Sequence, residues 1–312
     1  MNKSERILVT AHRGMIGSAI LRRLNQAGFT NLVTDSGLDL TDQKAVANFI
    51  GAERPAYIFL AVAKIGGIMA NSKFPAEFIY ENMQSQANVI HSAWKSGVKK
   101  LIFLASSCIY PKASTQPMKE EYLLTGKVEP TSEAYAIAKI AGITMCRSYN
   151  IQYGTNFISV IPGDLYGPGD DFNPETAHVL PSLLGKMHDA KVQHKPDVVL
   201  WGTGSPRREA LYIDDLADAC LFLMEKYDGS EPINIGSGQD FSIMEMATAI
   251  KEVTGFGGNV AFDKSKPDGA PRKLLDTTKM QRLGWSPKIG LMDGIRLTYE
   301  WYKESIEKRS KL

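Results

Sequence analysis

The sequence predicts an α/β fold, a doubly wound parallel sheet with a smaller α/β lobe toward the C-terminus. Three observations carry that expectation. Short apolar runs alternate with helix-spaced segments through the first half. A loop of small residues joins the first run to the first helix. After Pro162 the texture changes, with Gly, Pro and Asp crowded into residues 163–176. Such alternation implies parallel strands with crossover helices on both faces. At 312 residues the chain is long enough for one large α/β unit or two closely joined lobes.

Arg6-Ile7-Leu8-Val9-Thr10 reads as the first strand, and residues 18–27 as a helix because Ala19, Ile20, Leu21 and Leu24 recur at helical spacing. Leu32-Val33-Thr34 is a second strand, 43–50 a helix, 57–61 a third strand and 78–96 a long amphipathic helix. A strand over 101–105 precedes a loop with Pro111 and Pro117, a helix bearing Tyr135, and the strand Phe157-Ile158-Ser159-Val160-Ile161. Beyond Pro162 the pattern predicts a helix at 180–190, the strand Val198-Val199-Leu200-Trp201, and a helix at 215–226 with Asp214 as its N-cap. Ile233-Asn234-Ile235 is a further strand, followed by helices at 243–254 and 292–308.

Composition narrows the function classes. With 36 basic and 34 acidic residues the formal charge is +2, and no dense Lys/Arg run stands out, so no nucleic-acid footprint is expected. Met1-Asn2-Lys3-Ser4-Glu5-Arg6 leads straight into a strand without a signal-like apolar core, and no stretch reaches membrane-spanning length; the expected location is cytoplasmic. Cys108, Cys146 and Cys220 are widely spaced without C-x-x-C, which argues against disulfides and zinc. The five histidines form no H-E-x-x-H, and no metal is expected.

Ala11-His12-Arg13-Gly14-Met15-Ile16-Gly17 lies between the first strand and helix, where a diphosphate rests against helix N-terminal N–H groups. Small residues let backbone approach phosphate and let the helix pack on the strand. Ala at the first position fits if that residue does not need positive φ. The loop predicts a dinucleotide-binding Rossmann domain over 1–165 with a returning segment near 205–237, and a substrate lobe made of 166–204 and 238–312. Asp35, at the end of the second strand, is where a carboxylate meets the adenosine ribose 2′-hydroxyl and repels a 2′-phosphate, which favours NAD. Arg13, inside the loop, is suited to pair with such a phosphate and favours NADP. Asp35 has the alternative of capping a turn with Ser36 and Gly37.

Tyr135-Ala136-Ile137-Ala138-Lys139 sets a phenol and an ammonium one helical turn apart on one face. A cation that close is expected to favour phenolate and bring the group nearer neutrality, suited to exchange a proton with a substrate hydroxyl or ketone. Ser106, at a strand end, is suited to bond the same oxygen. Cys108 projects to the same side if the strand stays extended, adding a titratable sulfur for which most hydride-transfer sites have no use; the alternative is a small buried hydrophobe.

These residues resemble the extended short-chain dehydrogenase/reductase superfamily and, within it, the GDP-L-fucose synthase family. The likeness runs essentially end to end. It is carried by His12-Arg13-Gly14-Met15-Ile16-Gly17-Ser18-Ala19, Ala63-Lys64-Ile65-Gly66-Gly67-Ile68, Ser106-Ser107-Cys108-Ile109-Tyr110-Pro111, Tyr135 through Gly142, Leu165-Tyr166-Gly167-Pro168 and Lys266-Pro267-Asp268-Gly269. The resemblance implies an NAD(P)H-dependent oxidoreductase and isomerase of nucleotide-sugar metabolism, a homodimer, converting GDP-4-keto-6-deoxy-D-mannose to GDP-L-fucose. It implies that Tyr135 protonates the C4 oxygen, Lys139 holds the nicotinamide ribose, Ser106 orients the ketone, and Cys108 and His178 form the epimerisation pair. Leu104, Ala105, Pro162, Gly163, Asp164, Leu165 and His178 join the 11–17 loop and Asp35 around the cofactor, NADPH by resemblance. The resemblance also implies that Lys186, Trp201, Arg208 and Asp268 meet the GDP; Arg272 and Lys273, close in sequence to Asp268, are candidates for further diphosphate contacts. On sequence alone His178 also reads as a surface helix start, Trp201 as core and Arg207-Arg208 as a solvated pair.

Departures from the family pattern keep alternatives open. Thr34-Asp35-Ser36-Gly37 stands in a shortened loop where arginines are common, so NADH remains in play. Ala11 and Ala105 replace glycines, Pro162-Gly163-Asp164-Leu165 replaces Pro-Thr-Asn-Leu, and Gly169-Asp170-Asp171-Phe172 also differs. A related GDP-4-keto-6-deoxy hexose or heptose 4-reductase without epimerisation is the alternative function, and a non-catalytic cofactor-sensing regulator a distant one. A 4,6-dehydratase needs an acid beside the Ser/Thr, where this chain has Ser107 and Cys108.

Overall fold

The computed structural model describes residues 1–61, 64–173 and 176–309, with the backbone alone for Ile68 and Arg309. Ala63, in one of the segments quoted above, and Glu175, just before Thr176, lie outside the described residues. The strands are β1 Ile7–Val9, β2 Leu32–Thr34, β3 Tyr57–Leu60, β4 Lys100–Leu104, β5 Phe157–Pro162, β6 Leu165–Tyr166, β7 Asp197–Trp201, β8 Arg207–Glu209, β9 Leu211–Tyr212, β10 Ile233–Ile235, β11 Asp240–Ser242, β12 Asn259–Asp263 and β13 Arg272–Lys273. The helices are α1 Met15–Gln26, α2 Gln43–Glu53, α3 Ile68–Lys73, α4 Pro75–Lys95, α5 Glu133–Tyr153, α6 Val179–Val192, α7 Ile213–Lys226, α8 Ile243–Thr254, α9 Thr278–Leu283 and α10 Leu291–Arg309.

Six strands form one parallel sheet in the order β2-β1-β3-β4-β5-β10. Because successive strand residues face opposite sides, Ile7 and Val9 join Ile20 and Leu24 of α1 and Leu216 of α7, while Leu8 joins Val46 of α2, Val89 of α4 and Ile140 of α5. Each such fully buried aliphatic side chain contributes about 1.5–3 kcal/mol, so both faces are committed. β10 returns to the sheet through α7, which packs on α1. A third apolar cluster is separate: Leu184 and Met187 of α6 meet Ile250 of α8 and Ile295 of α10.

The smaller elements are where the sequence pattern was silent. β8 lies between β11 and β13, and β6 pairs β9; these are two- and three-residue pairings with no room for periodicity. Asp214 is not the N-cap of α7. That position is Tyr212, without a side-chain cap, and Asp214 in the first turn instead pairs with Arg22 at 2.5 Å.

Two close approaches fix the site. A Cβ on Gly17 would lie 2.3 Å from the Ala11 carbonyl oxygen, so only glycine lets α1 start against the end of β1. A Cβ on Gly142 would lie 2.3 Å from the Phe103 ring, so glycine there lets α5 close on the sheet. Gln86 of α4 ties down the same helix, its Nε2 donating to the Ala138 carbonyl at 2.6 Å.

Candidate active site

β4 ends at Leu104, and the chain then turns rather than extending. Ala105 N–H still bonds Val160 O at 2.8 Å, but Ser107–Ile109 form a 3-10 turn with Ser106 as its N-cap, Oγ accepting from Cys108 N–H at 3.4 Å. The expectation that Cys108 shares a strand face with Ser106 is therefore overturned. The turn achieves a related meeting by another route: Ser106 lies close enough to the Cys108 thiol and the Tyr135 phenol for its hydroxyl to hold both below where burial alone would put them.

The first two turns of α5 bring Tyr135 and Lys139 against this turn. Phe78 sits edge-on to the Tyr135 ring at 6.4 Å. Lys139 is 2% exposed, donates from Nζ to the Leu104 carbonyl at 2.9 Å, and lies 4.9 Å from the Phe103 ring centroid and 5.8 Å from that of Tyr135. Burial, reinforced by the neighbouring Cys108, pushes the Tyr135 phenol well above its ordinary range against the Ser106 hydrogen bond. The expected drift toward phenolate is thus contradicted: in this dry wall the phenol stays protonated, an acid rather than a base. Burial also brings Lys139 down to about 8, opposed by Cys108.

The facing wall comes from distant segments. Asp164, after β5, meets Lys273 of β13, with Nζ 3.3 Å from Oδ1. Burial raises Asp164, but Lys273, His178 and Arg208 outweigh it and hold the carboxyl below its usual range. Burial likewise pushes the Cys108 thiol up, while the Ser106 hydrogen bond and the Lys273 and Lys139 ammoniums pull against it. His178 is the exposed N-cap residue of α6, without a capping side-chain bond. Sequence proximity ties Lys273 only to Asp268; its ion pair with Asp164 arises through the β8–β13 register, which sets Lys273 opposite Arg208.

Glu209 was not anticipated. Its buried carboxylate accepts from Gly238 N–H at 2.9 Å and Leu275 N–H at 3.3 Å, and burial pushes it up to about 7. No local motif signals it, because its partners come from two later loops.

At the glycine loop, Ala11 has φ +51, so the first position does need the left-handed region. Asp35 holds it there: Oδ2 accepts the Ala11 N–H at 2.8 Å and Oδ1 lies 2.9 Å from His12 Nδ1, while Ala11 O accepts Gly14 N–H at 2.9 Å. The Asp35 side chain is thus engaged with the Ala11 turn, while its backbone carbonyl also closes a turn over Ser36 and Gly37 by accepting Leu38 N–H at 3.0 Å. Gly14 caps α1 without a side-chain bond, leaving its first N–H groups facing the loop, and Arg13 is exposed. Pro162 pairs with Ile235, Gly163 N–H bonds Ile235 O at 2.9 Å, and Leu165 begins β6.

Trp201 is 72% exposed, not core, with Lys266 Nζ 5.7 Å from its ring. Asp268 accepts from Thr203 N–H at 2.8 Å and Thr203 Oγ1 at 2.7 Å, next to that ring in the β7 exit loop. Arg208 donates to the carbonyls of Arg207 at 2.8 Å and Ala270 at 2.6 Å, and Arg207 bonds Asp240 and Glu245, so the pair is not simply solvated. Arg272 also pairs with Asp240, away from Lys273. Lys186 is exposed on α6.

A profile of the NAD dependent epimerase/dehydratase family matches residues 7–236. The chain belongs to that family. It is 56% identical to GDP-L-fucose synthase 1 of Arabidopsis thaliana over 98% of this chain and 95% of that protein. Among solved structures it is similar to a GDP-6-OMe-4-keto-L-xylo-heptose reductase from C. jejuni, with TM-score 0.92, 40% identity and coverage of 98% and 99%. It is also similar to a GDP-L-fucose synthetase from Naegleria fowleri bound to NADP, with TM-score 0.90, 31% identity and coverage of 98% and 96%. As a member of the epimerase/dehydratase family the protein is an enzyme with a nicotinamide-dinucleotide fold.

Proposed function

We propose that the protein is an epimerase-reductase that converts GDP-4-keto-6-deoxy-D-mannose to GDP-L-fucose. The observation that carries this reading is the gathering of Ser106, Cys108 and Tyr135 at the end of β4, with Lys139 bonded to the Leu104 carbonyl beside them. A reductase needs the serine and the phenol; the thiol and imidazole are surplus unless protons are also exchanged at carbon.

The chain fits a dinucleotide. The uncapped N–H groups of α1 and the Gly17 contact leave backbone free to meet a diphosphate. Residues 11–17, Asp35, Leu104, Ala105, Lys139, residues 162–165 and His178 are those that would hold it. When bound, the reduced cofactor supplies the hydride for C4.

Ser106 orients the C4 ketone, and Tyr135 protonates its oxygen as the alcohol forms. Its raised pKa keeps that proton available at neutral pH. Lys139 holds the ribose side of the pocket. The C4 ketone acidifies the protons on C3 and C5, so Cys108 as thiolate removes one and His178 as imidazolium returns one to the opposite face. Each exchange breaks a C–H bond, puts its electron pair on the C4 oxygen as enolate, and forms the new C–H bond from that enolate. Arg208 supplies positive charge for the diphosphate, Trp201 an exposed aromatic face for the base, and Lys186 and Asp268 polar contacts.

Relatives with NADP bound favour NADPH as the cofactor; Asp35 favours NADH, because a carboxylate beside the Ala11 turn disfavours a 2′-phosphate. The ratio of NADPH to NADH turnover decides between them. A 4-reductase without epimerisation is a second reading, favoured by the likeness to the heptose reductase. A homodimer through α4 and α5 fits the exposed Tyr80, Met83, Ile137 and Ile151 on those helices, testable by sedimentation. Among the described residues no helix is long and apolar enough to cross a membrane, and a cytoplasmic enzyme free of nucleic-acid partners fits the near-neutral charge. The third apolar cluster, on α6, α8 and α10, favours a separate substrate lobe, while Leu275, Met280 and Trp285 from that proposed lobe pack into the two clusters on the sheet.

Mixing the protein with GDP-4-keto-6-deoxymannose and reduced cofactor tests the reading. Loss of dihydronicotinamide absorbance with formation of GDP-L-fucose is the expected result; absorbance loss with a product of unchanged C3 and C5 configuration supports the second reading instead.

A further inference from the structure

The turn that carries Ser106 and Cys108 is held loosely from within and firmly at its ends. Its internal bonds are long: Cys108 N–H to Ser106 Oγ at 3.4 Å, Ile109 N–H to Ser106 O at 3.3 Å and Tyr110 N–H to Ser107 O at 3.3 Å. At the near end Ala105 N–H bonds Val160 O at 2.8 Å, and at the far end the Tyr110 hydroxyl donates to Asn234 Oδ1 at 2.6 Å. Bonds of N–H to oxygen weaken beyond about 3.2 Å. The two short end anchors therefore set where Ser106 and Cys108 stand. Asn234 is the middle residue of β10 and 0% exposed, so it reaches neither substrate nor cofactor. Its Nδ2 donates to the Met118 carbonyl at 2.9 Å and the Asp276 carbonyl at 3.1 Å, which fixes Oδ1 as the acceptor for Tyr110. The two carbonyls are themselves held, since Met118 N–H bonds Leu274 O and Asp276 N–H bonds Met118 O, both at 2.8 Å.

We propose that Asn234 is a positioning residue for the reaction, its carboxamide holding the Tyr110 hydroxyl and, through it, the turn that presents Ser106 and Cys108. This deepens, and rests on, the reading of those two side chains as reacting groups. The carboxamide suits the task because all three of its hydrogen-bonding positions are used and none can turn away without leaving a buried polar group unpaired. The Tyr110 ring is buried among apolar neighbours that include Ile109 and Met118, so removing its hydroxyl alone leaves that packing in place and releases only the anchor. A reacting group displaced by a fraction of an ångström loses rate without loss of substrate binding.

Tyr110→Phe is the test. With GDP-4-keto-6-deoxymannose and reduced cofactor, kcat should fall by about 10- to 100-fold while KM for the GDP-sugar stays within about twofold. A merely structural role would lower stability and leave kcat of the folded enzyme where it was. Without substrate, iodoacetamide should alkylate Cys108 faster in Tyr110→Phe than in the unaltered protein, followed peptide by peptide in mass spectrometry, with buried Cys146 and Cys220 as references for unfolding. Asn234→Ala should lose at least as much kcat, and adding Tyr110→Phe to it should lower kcat no further, because the two changes break the same bond. An unchanged kcat in Tyr110→Phe overturns the proposal, as does a rise in KM that matches the fall in kcat, or a further loss in the double variant. Should Asn234→Ala fail to fold, Tyr110→Phe decides by itself. If the unaltered enzyme does not act on this substrate, it is the functional reading that fails; the anchor then stands if Cys108 alkylation quickens in Tyr110→Phe and falls if it does not.

Discussion

The two walls of the cleft are built in opposite ways. On one side Ser106, Tyr135 and Lys139 sit within a single β–turn–α unit, clamped by the Lys139 bond to Leu104 O and by the Gly142 contact with Phe103. On the other, Asp164, His178, Arg208 and Lys273 arrive from four separate segments, and their meeting depends on short strand pairings. The first wall holds the Tyr135 phenol neutral, while Lys139, lowered to about 8, keeps most of its charge at neutral pH. The second is wetter and ionic. Delivering a proton to an alkoxide suits the first wall, and moving protons at carbon between charged groups suits the second.

That contrast can be broken by separating the two activities. Tyr135→Phe should slow hydride transfer by about 10²–10⁴-fold, the usual worth of a positioned general acid, measured as dihydronicotinamide absorbance, while deuterium still enters C3 and C5. Cys108→Ser should do the reverse, reducing deuterium incorporation by about 10²-fold or more with GDP binding, measured calorimetrically, retained. Equal loss of both activities in either variant would mean the walls do not act separately.

Gly142→Ala should cost about 1–3 kcal/mol of stability in a denaturant titration, because its Cβ would overlap the Phe103 ring. Hydride transfer should suffer more than exchange, since α5 carries Tyr135. Through Lys139, kcat/KM for reduction should fall as pH rises through about 8, where a lysine lowered by burial loses its proton. Lys139→Arg should shift that limb to higher pH. The same shift makes the unfolded chain bind more protons between about 8 and the ordinary lysine value of 10.5, so the Lys139 contribution to stability rises with pH in that window. The smallest effect belongs to Ala11→Gly, which should stabilise the fold by about 1 kcal/mol by relieving the φ of +51.

The same contrast governs what the sequence reveals. Leu8 and Val46, or Ile20 and Leu216, betray their faces by period, so the sheet and its helices were legible to within a few residues. Tyr135 and Lys139 declare themselves because helical spacing fixes their relation locally. Two local inferences went astray where tertiary packing overrode them. Burial outweighed the lysine beside Tyr135, and Asp35 held Ala11 in a conformation that its identity argues against. Lys273, Glu209 and Asp164 meet through the pairings of two- and three-residue strands, which leave no periodic trace.

The claim that one cleft performs both chemistries is tested most directly by running the reaction in heavy water and examining the product by NMR. The account predicts GDP-L-fucose carrying deuterium at both C3 and C5, inverted at each, with the hydride at C4 from the cofactor. A C4 alcohol that retains its original C3 and C5 hydrogens and configuration would contradict it.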